Sequence, residues 1–488
     1  MAFSAAQQAN ESALQSSDKA YFTGALGVLS SRVAAILAGV ASLWLLTRIL
    51  GSEAFAGYSV AFSIVVLLGY SIGLGIERSL LLRISGLDPA GGRLQGARLM
   101  RRILIVVAVL SSLAVVGTLL TIAGETGPKH DFLRLLTPVI PAVAISLVLI
   151  TWYQANHRVG VSQTMQGLND ATRCTLFGIT FAAGLGATGV AAGAILGAAA
   201  PAVFLAWRAM GQTRPEPATI GLSDIGDGIQ FLIMRMSKMG LQHLGIIALG
   251  ILGTTTGTAQ FAVALRFATL IESGQTVFTP TFAPRVRRHL SLNQMDLAAR
   301  EYRIARVTGF TAALGLALIF MVVGEPILRQ FGDFGVSSEA FLVLIASYLM
   351  TVGAGMHSTF LAMTDQLGRS TATRVLSIAI FALGLWILVP QYDAFGAALA
   401  FMIATAVHET VGVIILMRYL GVRPCTLPEA AVVVTSCATL CGAGIGFVPI
   451  MTAAGILAAM LAATALYAHK IFFGIAKDLY RIAFRRAT

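Results

Sequence analysis

The feature that most constrains this chain is the recurrence of apolar runs of membrane-spanning length, joined by short connections alternately rich and poor in Arg and Lys. A helix needs roughly 20 mostly apolar residues to cross a bilayer. Fourteen such runs can be read, at about 26–47, 57–76, 103–123, 135–153, 172–187, 188–207, 230–252, 259–282, 305–324, 339–363, 371–389, 394–417, 430–448 and 451–473. The expectation is an all-α polytopic membrane protein. The fifth and sixth runs are parted only by the glycines around Gly184, Gly186 and Gly189, so the charges must decide whether they are one span or two.

With Arg173, Arg306, Arg374 and Lys470, which stand near run ends, counted with the adjoining connections, 26 of the 34 Lys and Arg fall in the termini and connections on one side. Only Arg48, Lys129, Arg134 and Arg329 fall on the other, and Arg32, Arg235, Lys238 and Arg266 lie within runs. Merging the fifth and sixth runs would invert every later loop and destroy the asymmetry. The positive-inside rule therefore favours an even number of spans with both termini in the cytoplasm.

Composition agrees, since 57% hydrophobic and 11% charged residues cannot furnish a water-facing surface. The net charge of +12 reports cytoplasmic loops, and nucleic acid is not expected as a partner. The four cysteines lie in or beside apolar runs without paired spacing, so no disulfide or metal framework follows. Residues 1–20 are polar and lack the basic start and short apolar core of a secretion signal.

The Arg214, Pro215, Glu216, Pro217 stretch reads as a linker. The expected organisation is a cytoplasmic segment 1–20, an N-lobe 21–207 of six spans, a linker 208–229, a C-lobe 230–417 of six spans, and 418–488 holding a last pair of spans and a basic tail. A short internal match supports two halves. Ile49, Leu50, Gly51 recur as Ile251, Leu252, Gly253, and Tyr58, Val60, Ala61 as Phe261, Val263, Ala264. In that register Arg32 and Arg235 fall within one residue of equivalence, a pattern expected of a transporter built from repeats.

Residues 46–84, with Arg48, Leu50, Gly51, Glu53, Phe55, Gly57 and Tyr58 and then Gly73, Gly75 and Arg83, resemble the opening helix pair of the polysaccharide transporter family, the Wzx-type O-antigen and exopolysaccharide flippases. That family sits in the superfamily that also holds the MATE exporters and lipid II flippases. Gly396, Ala397, Ala398 and Ala400 resemble its later small-residue motif, while Ala56 departs from the usual pattern by standing between Phe55 and Gly57. The resemblance implies two six-helix lobes around a central cavity, a further helix pair, and movement of a polyprenyl-diphosphate-linked oligosaccharide across a bacterial inner membrane. It also implies alternating access and work beside a polysaccharide polymerase and export machinery.

An ionisable side chain in hydrocarbon costs at least about 2.5–3.5 kcal/mol on insertion scales, so it marks a cavity or a partner. Arg32, Arg235, Lys238 and Arg266 are the substrate-binding candidates. Glu272, His408 and Glu409 are candidates for ion pairing or for proton or sodium coupling. The competing reading for Arg32 and Arg235 is snorkelling to the nearby interface; for His243 and His357 it is hydrogen-bonded packing. Cations outnumber acids within the runs, which suits an anionic diphosphate. A MATE-type cation exporter would need a buried carboxylate, and the first half offers none away from the Glu77 edge. No polar catalytic cluster, large outer loop or nucleotide-binding loop is visible, so neither an enzyme nor a cofactor is expected.

Overall fold

Every backbone polar group in hydrocarbon must be satisfied within the chain, and helices do this locally; helix is the only regular structure among the described residues. The structure is a computed structural model that describes residues 2–73, 75, 96–156, 158–209, 222–276, 286, 289–290, 292, 294–331, 338–361, 364, 366–421 and 425–485. Side chains are described from 34 to 469 of these, apart from 159–160, 162–163, 166, 222–227, 230–231 and 367. Residues 210–221 of the expected linker 208–229 and the side chain of Arg32 lie outside the described residues.

The helices are α1 (Ala2–Ile72), α2 (Ala97–Thr121), α3 (Pro128–Leu136), α4 (Val139–Ala155), α5 (Val159–Ala183), α6 (Gly186–Ala209), α7 (Leu222–Leu252) and α8 (Thr255–Ala268). They continue as α9 (Ser273–Thr276), α10 (Met295–Leu328), α11 (Ser338–Ala354), α12 (His357–Leu361), α13 (Leu367–Leu420), α14 (Leu427–Gly444) and α15 (Ile450–Arg485). Among the described residues seven helices are long and apolar enough to cross a membrane, or eight if the pair α3 and α4, bent by 46°, is one span. At about 1.5 Å per residue, the 53 residues Gly368–Leu420 are too long for one crossing. They divide at Asp393 (φ 48°), and α1 divides at Gly51 (φ 69°). The protein is thus a multi-pass membrane protein.

The chain forms two compact units. One holds Met1–Ile49, Leu68–Gly124 and Arg134–Ile229; the other holds Leu50–Leu67, Glu125–Leu133 and Gln230–Thr488. In the first unit α5 and α6 are separate helices, parted where Gly184 and Gly186 take φ of 63° and 56°. They pack as an antiparallel hairpin on a stripe of small residues: Gly189 lies against Thr180, Gly193 against Phe177 and Gly197 against Arg173. Small residues four apart let the backbones approach, which replaces the hydrophobic drive that lipid removes. Ser146 donates to the Ala198 carbonyl at 2.9 Å and Tyr153 to that of Leu205 at 3.2 Å, so α4 runs parallel to α6.

In the second unit α11 is the central element, fully buried from Val343 to Ala346 and packed against α8, α10, α13 and α14. The break at Asp393 has a partner. Its carboxylate accepts from the Thr254 backbone N–H (2.9 Å) and hydroxyl (2.5 Å) at the start of α8. Gly253 and Gly257 leave room for it, because a Cβ on either would meet the Asp393 carboxylate. The sequence repeat therefore hides a difference: Gly51 serves a left-handed backbone, whereas Gly253 serves a close approach.

Candidate functional site

Three groups of ionisable residues stand out in the second unit. On α7 the spacing of three sets Arg235 and Lys238 on one face. Lys238 Nζ lies 2.8 Å from Glu272 Oε1, with Lys238 half-exposed and Glu272 mostly covered. Glu272 ends a 3-10 turn, Thr269–Glu272, that prolongs α8. Arg266, also on α8, is exposed and faces His243. The His243 ring Nδ1 lies 3.1 Å from Ser63 Oγ.

The second group is buried at the break between α11 and α12, where Gly355 takes φ of 84°. His357 and Ser358 begin α12; Arg374 lies on the first arm of α13, and His408 and Glu409 on its second arm. Ser358 Oγ lies 3.2 Å from His357 Nε2 and 3.3 Å from His408 Nε2, and accepts from Arg374 at 3.3 Å. His357 Nδ1 is 3.3 Å from Glu409 Oε2, within ion-pair distance but not aligned as a hydrogen bond. His357 Nδ1, His408 Nδ1 and Glu409 Oε2 are all buried without a hydrogen-bond partner, a state that costs about 1–3 kcal/mol per group. Gly412 packs directly on the His357 ring, where a Cβ would have no room.

Arg374 links these two groups, since it faces both Glu409 and Glu272. Counting it among the connections puts it outside the membrane. The helix starts at Leu367, so Arg374 stands two turns into it and turns inward. His357 is more than the packing residue that its isolated position suggests, because it approaches Glu409 across 52 positions of sequence.

The third group joins α10 to the last two helices and was not singled out from the sequence. Glu429 is bonded on both oxygens: Arg303 Nε (2.7 Å) and Tyr467 (2.8 Å) reach Oε1, while Arg306 and the Thr426 backbone N–H (3.0 Å) reach Oε2. Arg303 also donates to Tyr467, and Arg306 to the Gly353 carbonyl at 3.2 Å. Thr426 and Glu429 form a capping box on α14. Beside this knot opens a largely apolar cleft of about 370 Å³, walled by Val307, Phe310, Val432, Val433 and Ala463.

The fold has known counterparts. The lipid II flippase MurJ in an inward closed conformation matches at TM-score 0.64 and 13% identity, over 94% of this chain and 100% of that one. An inward-facing multidrug resistance MATE transporter of the MOP superfamily matches at TM-score 0.59 and 14% identity, over 81% and 99%. A MOP superfamily transporter from Pyrococcus furiosus Vc1 matches at TM-score 0.57 and 15% identity, over 82% and 95%. This chain has the fold that these three solved structures share. No protein-family model and no curated protein matches the sequence. At these identities the likeness speaks for the fold alone.

Proposed function

We propose that the protein is a flippase that carries a polyprenyl-diphosphate-linked oligosaccharide repeat unit from the cytoplasmic to the outer leaflet of a bacterial inner membrane. In this reading it has fourteen crossings in two six-span lobes and a final pair, keeps both termini in the cytoplasm and works by alternating access. The observation that carries it is the charge balance of the second unit. Among the described intramembrane residues there, the cations Arg235, Lys238, Arg266 and Arg374 outnumber the acids Glu272 and Glu409, and each acid stands beside a cation. An excess of Arg and Lys donors suits a diphosphate and disfavours a cationic drug.

Two further observations support the lipid-linked substrate. The flippase neighbour extends over 94% of the chain against 81% for the MATE exporter. The apolar cleft beside α14 and α15 offers a wall for the polyprenyl tail, with Arg303 and Arg306 at its polar end. Arg32, within one residue of equivalence with Arg235 in the repeat, is a further candidate for the substrate-binding cations.

The test is a deletion strain complemented by wild type or by a Lys238→Ala, Arg266→Ala double variant that reaches the membrane. Lipid-linked oligosaccharide should accumulate on the cytoplasmic leaflet without the gene, and only wild type should restore export. Intact polysaccharide with new sensitivity to cationic drugs would instead establish a proton- or sodium-coupled exporter of the MATE type.

A further inference from the structure

Among the described residues, buried polar atoms without a hydrogen-bond partner concentrate at one place. His357 Nδ1, His408 Nδ1 and Glu409 Oε2 fall within the cluster around Ser358. Each of these residues is at least nine-tenths buried. A buried polar network left short of partners is costly unless something else completes it.

We propose that Glu409 and His357 form a proton-binding site, and that Arg374 transmits its occupancy to the Glu272–Lys238 pair. The inference rests on the proposed function only for the transport that it would serve. One proton placed between Glu409 Oε2 and His357 Nδ1 supplies the donor that both atoms lack, at a separation of 3.3 Å. His408 offers a second open nitrogen, reached through the Ser358 hydroxyl, which rotates to donate or accept. Imidazole nitrogens favour a proton over a hard cation, which takes oxygen ligands.

The charged and titratable groups facing Glu409 are His357 from α12, Arg374 and His408 from α13, Glu272 from the end of α8, Lys238 from α7 and Tyr302 from α10, and α11 adds the neutral Thr351 hydroxyl. With Glu409 ionised, Arg374 and Lys238 are balanced by Glu272 and Glu409. When Glu409 takes the proton, Glu272 is the carboxylate left facing Arg374 among the described residues, and Glu272 already holds Lys238 at 2.8 Å. Two cations then share one carboxylate, and Lys238 is released towards an anionic ligand. Proton uptake and anion capture favour each other, and by linkage each strengthens the other equally.

The experiment is infrared difference spectroscopy of the purified full-length protein in lipid nanodiscs, titrated between about pH 5 and pH 9. The expected result is a titrating carboxylic acid band that disappears in Glu409→Gln and persists in Lys238→Gln. Arg374→Gln should keep the band and move its midpoint to higher pH, by a factor of about ten in proton concentration, because the facing cation is gone. Glu409→Gln preserves shape, and its thermal unfolding checks that it is folded. A band unchanged in folded Glu409→Gln overturns the proposal. A midpoint that shifts with sodium chloride but not choline chloride, and loses this dependence in Glu409→Gln, overturns it in favour of a sodium site. Failure of the flippase reading would leave these spectra as they are, so the two failures are distinguishable.

Discussion

Glu409 and Glu429 are both covered carboxylates beside arginines in the same unit, yet they are built in opposite ways. Glu429 has donors on both oxygens, from Arg303, Arg306, Tyr467 and the Thr426 backbone. Glu409 keeps an oxygen without a hydrogen bond and stands beside two imidazoles that each have an open nitrogen. A saturated carboxylate fixes the elements that meet on it, here α10, α14 and α15. An unsaturated one can take up a proton at the junction of α11, α12 and α13. Partner count, rather than burial or charge, separates the bracket from the switch.

The comparison breaks most visibly at Glu429. Glu429→Ala leaves Arg306, whose side chain is 3% exposed, without its carboxylate, and removal of one partner from a buried pair costs about 3–5 kcal/mol. Thermal unfolding in detergent should show the loss. An Arg306→Met, Glu429→Met double variant should recover much of it, because well-packed apolar residues replace a buried pair at little cost. Equal losses in the single and double variants would mean that the knot acts by packing rather than by charge. Next in size is Tyr467→Phe, which deletes one donor to Glu429 and should cost about 0.5–1.5 kcal/mol by the same measurement.

The contrast between these sites was only partly legible in the sequence. Run length and charge alternation reveal the helices, because both express the bilayer's demands on each segment separately. Gly184, Gly186 and Gly189 likewise mark where α5 and α6 part, but only with the charge asymmetry to favour two spans, and the packing of Gly193 and Gly197 comes from the structure. Glu429 escaped because the apolar run was read from residue 430, one position later, and its partners Arg303 and Arg306 had been counted as loop charges. Arg374 escaped in a related way: it stands near the start of the run 371–389 and counts with the connection before it, although the helix already begins at Leu367. The 52 positions from His357 to Glu409, and the Asp393 carboxylate set on Thr254, are tertiary juxtapositions that no periodicity encodes. Asp393 even contradicts local preference, since a non-glycine residue rarely takes a left-handed φ.

Glu409→Gln sharpens the comparison from the other side. It removes a charge that has few hydrogen bonds to lose, so unfolding free energy should change by no more than about 1 kcal/mol, while transport in reconstituted vesicles stops responding to pH. A stability loss as large as that of Glu429→Ala would make Glu409 a second bracket.

The smallest effect on folding is expected at the Lys238–Glu272 pair, and there the sign carries the information. Lys238 is 46% exposed, and a pair of that kind contributes about 0–1 kcal/mol, so Lys238→Gln and Glu272→Gln should unfold close to wild type. Their effects on anion binding should nevertheless be opposite. Lys238→Gln deletes a donor, whereas Glu272→Gln deletes the carboxylate that competes with the ligand for Lys238. Calorimetric titration with inorganic pyrophosphate should therefore show binding weakened in the first variant and strengthened in the second, by up to about tenfold for each 1.4 kcal/mol. Weakening in both would mean that Glu272 orients Lys238 for the anion, and the pair would then belong with Glu429 among the fixed brackets.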